Sequence, residues 1–164
     1  MPQQVKVIRE GLLVGLIAYA AVAVFYAAFD FLAARGPLFT VNLLGLAVFE
    51  GVRDPSILQR PIPLDLAAIF WYNALHLVFS LVIGFVVVRL IAQAQGHPAQ
   101  AKAMLFTIVA GFVVTILAVA QLTEAIRRLL PFWSIVVANS LAVVIAARFL
   151  VRRHPGIGRA LVAS

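Results

Sequence analysis

Four stretches of the chain, residues 11–34, 64–90, 103–125 and 131–151, are dominated by Ala, Val, Leu, Ile and Phe for twenty positions or more. A bilayer core of about 30 Å is crossed by roughly 20 helical residues, so each stretch is long enough to span it. At 164 residues the chain has room for these spans and little else. The expected fold is an all-α integral membrane protein forming a single membrane domain over residues 1–164.

Composition agrees with that reading. The chain is 64% hydrophobic and 12% charged, with a mean hydropathy of +1.08, whereas soluble domains are roughly half apolar and about a quarter charged. Cysteine is absent, which excludes disulfides, thiolate metal sites and cysteine nucleophiles. The net charge of +7 sits at the ends of the apolar runs, where the positive-inside rule and anionic lipid explain it without nucleic acid. The first run follows Lys6 and Arg9 and is far longer than the core of a secretory signal, so it reads as an uncleaved anchor.

Residues 37–50, PLFTVNLLGLAVFE, are harder to place. They open with a proline and are followed by Gly51 in the position of a helix C-cap. A helix of this length reaches about 21 Å, short of a typical core, which predicts a re-entrant or interfacial helix after the first span. Basic residues supply an independent check. If this piece does not cross, Lys6, Arg9, Arg89, Lys102, Arg148, Arg152, Arg153 and Arg159 share one side against Arg35, Arg53, Arg60, Arg127 and Arg128 on the other. If it crosses, the bias falls to six inside against seven outside. Four spans with both termini cytoplasmic, in a bacterial-type inner membrane, is therefore the expected topology. Residues 15–42 and 111–139 share a loose pattern of helix, Pro-Phe or Pro-Leu-Phe, then Asn, which is read as coincidence in a Val/Ala/Leu-rich chain.

Polar residues within the runs are the candidate functional groups. Gly11, Gly15, Tyr19, Ala23, Tyr26 and Asp30 recur every three or four positions and share one face of the first helix, which predicts close packing against a neighbour. Asn73, His76, Ser80 and Gly84 share a face of the second, with His76 near mid-span; an ionisable group at that depth must face protein or water. Thr107, Gly111, Thr115 and Ala118 line the third, and Asn139 lies near the middle of the fourth. Asn73, His76, Ser80, Thr115 and Asn139 form the expected central polar cluster, joined by interhelical hydrogen bonds. Asp30, Glu50 and Glu124 are expected as acidic residues at the outer membrane surface, within reach of Arg127 and Arg128.

His76 has three open roles: a packing hydrogen bond, a proton relay, or single axial ligation of a haem or pigment. Bis-histidine haem is disfavoured because His97 and His154 fall in a loop and the tail. The chain has no P-loop, Rossmann glycine pattern, HExxH or GxSxG, so no catalytic residue, metal or cofactor is predicted. The expected function is a small non-catalytic membrane protein, a subunit or assembly partner of a larger complex, binding lipid and another membrane protein or its own copy. A small transporter or channel built on the His76 cluster, or a haem- or pigment-binding electron-transfer protein, is the alternative. A translocation path usually needs more than one central ionisable group, and only His76 qualifies.

Overall fold

The computed structural model describes residues 3–51 and 62–156. Five α-helices account for most of them: α1 (Gln3–Leu32), α2 (Phe39–Gly45), α3 (Leu66–Gly96), α4 (Ala101–Leu122) and α5 (Phe132–Arg153). No strand occurs among the described residues. Helices α1, α3, α4 and α5 are each long and apolar enough to cross a membrane, as the four runs predict, and the chain is a multi-pass membrane protein.

Boundaries moved where charge had been read as an end. Helix α1 starts at Gln3 and runs through Lys6, Arg9 and Glu10, eight residues earlier than the apolar run. Helix α3 continues past Arg89 to Gly96. At 1.5 Å per residue both approach 45 Å, so they tilt or extend beyond a core of about 30 Å. Helix α4 stops at Leu122, where Thr123 begins a 3₁₀ turn through Ile126. Pro131, the first residue of the fourth apolar run, precedes α5 and caps it in extended conformation.

The closest packing is between α1 and α3, which run antiparallel. A Cβ added to Gly84 would lie 2.5 Å from the Gly15 nitrogen and 2.6 Å from the Gly11 oxygen, and one added to Gly15 would lie 2.6 Å from the Leu81 Cα. Backbone therefore meets backbone, as expected for small residues one turn apart facing each other in lipid.

Helix α2 continues into a single π-helical turn, Leu46–Glu50, ended by Gly51 at φ 69°. Its residues Leu43, Leu44 and Ala47 are buried together with Ile116, Ile126, Leu130 and Ile135, a core contributed by α2, α4, α5 and the α4–α5 turn. Gly45 sits against the Ala68 backbone, with only 2.5 Å available to a Cβ. The two halves of the loose repeat play different parts: Gly15 is in backbone contact while nothing lies within 4 Å of a Cβ on Gly111.

Candidate functional site

The polar residues separate into three groups along the bundle. The first lies where α1 ends. Residues 33–38 reverse the chain through Ala34 at φ 55° and Gly36 at φ 84°, bringing α2 back against the end of α1. Asp30, fully buried, then accepts hydrogen bonds from the Thr40 backbone N–H at 2.6 Å and the Thr40 hydroxyl at 2.7 Å. Arg35 completes the pair, with Nη2 3.1 Å from the same carboxylate and Nη1 donating to the Leu129 carbonyl at 2.8 Å. The guanidinium also covers the rings of Phe29 and Phe39, at 5.0 and 4.6 Å. One ion pair thus ties the end of α1 to the start of α2 and to the turn before α5. Arg35 Nε is buried, with no hydrogen-bond partner among the described residues.

Asn42 extends this corner. Its amide nitrogen donates to the Pro63 carbonyl at 3.1 Å and its oxygen accepts from the Asp65 N–H at 2.9 Å. Asp65 then caps α3 by accepting from the Ala68 N–H at 2.8 Å. The Glu50 carboxyl lies beside that of Asp65. Bonding to Asp65 raises the Glu50 pKa, while the Ala68 amide and then Glu50 lower that of Asp65.

The second group is at mid-bundle. The Tyr19 hydroxyl donates to Asn73 Oδ1 at 2.9 Å, and the Asn73 amide nitrogen donates to the Ile69 carbonyl. The His76 ring lies between two tyrosines, 5.2 Å from Tyr19 and 6.2 Å from Tyr72. Ser80, buried, lies at the α1 crossing, its carbonyl 2.7 Å from where a Gly15 Cβ would be.

Two residues expected in this cluster bond elsewhere. The Thr115 hydroxyl donates to the Gly111 carbonyl one turn back in α4, and the Asn139 amide nitrogen to the Ile135 carbonyl one turn back in α5. Neither hydrogen-bonds to Asn73 or His76; each satisfies itself within its own helix, an option that periodicity does not reveal. What surrounds His76 is aromatic, Tyr19 from α1 and Tyr72 from its own helix.

The third group is at the opposite end of the bundle and had no counterpart in the sequence reading. His154, just past α5, places Nε2 2.8 Å from Glu10 Oε2 and Nδ1 3.2 Å from Gln95 Oε1, with Glu10 and His154 both buried. The pair joins the first turns of α1, the last turn of α3 and the end of α5. His154 directly follows Arg152 and Arg153, which drew the whole segment into a reading as solvated tail.

The outer acidic residues have three different fates. Asp30, expected at the surface near Arg127 and Arg128, is inside and bound to Arg35. Glu50 is exposed, and the neighbouring Asp65 raises its pKa. Glu124 is exposed and accepts a hydrogen bond from Gln121 at 3.2 Å. Among the described residues no three His, Asp or Glu side chains are grouped as a metal ion requires. Comparison of the chain with protein-family models, curated proteins and solved structures gives no match.

Proposed function

We propose that this protein is a non-catalytic membrane subunit or assembly partner, inserted with both termini cytoplasmic and with residues 39–50 resting in the outer leaflet of a bacterial-type inner membrane. The observation that carries the reading is the asymmetry of its packing. The strong internal polar contacts, Asp30–Arg35–Thr40, Asn42–Asp65, Tyr19–Asn73 and Glu10–His154–Gln95, all join α1, α2, α3 and α5. Helix α4 shares none of them. Its Thr107–Gly111–Ala118 face, with small residues at the spacing that lets helices meet closely, lies exposed.

A polar network whose members satisfy one another serves cohesion more than passage, because a conduction path needs groups left free to exchange ligands. The partner most consistent with an apolar face of this kind is another transmembrane helix.

The test is purification of the tagged full-length protein from its native membrane in a mild detergent, followed by native mass measurement and an absorption spectrum. The subunit reading expects a colourless species with a partner at fixed stoichiometry, weakened by Gly111→Leu. A Soret or pigment band removed by His76→Leu would replace it with the cofactor reading. A lone monomer whose reconstituted vesicles show His76-dependent flux would replace it with the transporter reading.

A further inference from the structure

A groove of about 440 Å³ lies between the start of α1 and the end of α3, within the range of small-ligand sites. Its apolar wall includes Val7, Ile8, Phe85 and Ala92, and its polar wall includes Arg89 and His97. Among the described residues none of those lining it is acidic. Arg89 stands seven residues before the end of α3, about 10 Å along the axis and thus within the bilayer interface. Among the described residues it has no carboxylate partner: the Glu10 carboxylate lies 2.8 Å from His154, and the Asp30–Arg35 ion pair is at the far end of the bundle.

We infer that this groove is a phospholipid site, in which the phosphodiester of an anionic lipid meets Arg89 and His97, with Ala92 between them, and the first part of an acyl chain passes Val7 and lies along Phe85. An arginine in a low-dielectric interface needs a counter-charge, and a guanidinium binds phosphate through paired N–H donors. Phe85 lies one turn deeper along α3 than Arg89, and an apolar surface beneath a charge matches a ligand with a charged head and a hydrocarbon body, which free phosphate is not. The inference requires a membrane-embedded protein and is independent of which side the groove faces and of the subunit reading.

Native mass spectrometry of the full chain tests it, with phosphatidylglycerol and phosphatidylcholine of matched chains and with glycerol phosphate as a head without chains. The wild type is expected to bind phosphatidylglycerol about fivefold more tightly than phosphatidylcholine, the contribution of about one interfacial arginine. Arg89→Gln should abolish that preference, Ala92→Phe should weaken phosphatidylglycerol binding by filling the groove, and Arg128→Gln, at the other end of the bundle, should leave it intact. Melting without added lipid confirms that each variant is folded. Equal binding of the two lipids by the wild type, a preference that survives Arg89→Gln, or one lost equally in Arg128→Gln overturns the site. Glycerol phosphate binding as tightly as phosphatidylglycerol overturns the lipid in favour of a small-anion site.

Discussion

Asp30 was legible as a residue on the packing face of α1 but not as one half of a buried ion pair. Its partner, Arg35, lies beyond the apolar run, and only the reversal at Ala34 and Gly36 brings the two together. Period and composition describe one helix at a time and carry no information about such a turn. Removing one member of a buried pair leaves the other charge, and here the Thr40 N–H, uncompensated. Asp30→Ala is therefore expected to destabilise the protein by about 3 kcal/mol, read as a lowered thermal midpoint in detergent, with Asp30→Asn intermediate because the amide oxygen still accepts from Thr40. A midpoint unchanged by Asp30→Ala would remove the ion pair from the account. The Tyr19–Asn73 bond is a smaller matter: a double-mutant cycle of Tyr19→Phe and Asn73→Ala should give a coupling of about 0.6 kcal/mol, the usual worth of a hydrogen bond between transmembrane helices. A coupling near zero would mean that Asn73 is held by Ile69 alone.

At the level of elements, the long helices were readable because lipid leaves them a single solution, and their faces were readable where small residues repeat. The α1 face containing Gly11 and Gly15 and the α3 face containing Ser80 and Gly84 do meet. The Thr107–Gly111 face of α4 has the same pattern but is exposed, with none of the described residues within 4 Å of a Cβ on Gly111, since spacing identifies a face able to pack without naming what packs on it. This contrast is directly testable. Gly84→Leu drives a side chain into the α1 backbone and should cost about 1–3 kcal/mol or more, as overpacking of a tight core does. Gly111→Leu, with open space around it, should leave the melting of the isolated protein unchanged. If both substitutions cost the same, the α1–α3 crossing is not the tight one. The Glu10–His154 pair escaped notice for a related reason: the pairing spans almost the full chain length, and both residues sit among basic neighbours that read as surface.

For the whole molecule, the contacts place the start of α1, the end of α3 and the end of α5 at one end of the bundle, through Glu10, Gln95 and His154. The end of α1, all of α2 and the starts of α3 and α5 lie at the other, through Asp30, Asn42, Asp65 and the Arg35–Leu129 bond. Each polar corner therefore ties together helix ends at one end of the bundle, the arrangement expected of the proposed four crossings with the segment 39–50 making none. In the proposed topology, the distribution of basic residues puts the His154 end in the cytoplasm. The most direct test is single-cysteine labelling with a membrane-impermeant maleimide, for which the cysteine-free parent is ready-made. Glu50→Cys and Glu124→Cys should react in intact cells, and Gln3→Cys and His97→Cys only after permeabilisation. Labelling of Gln3→Cys and His97→Cys from opposite sides, or of Glu50→Cys and His97→Cys from the same side, would contradict the four-crossing arrangement.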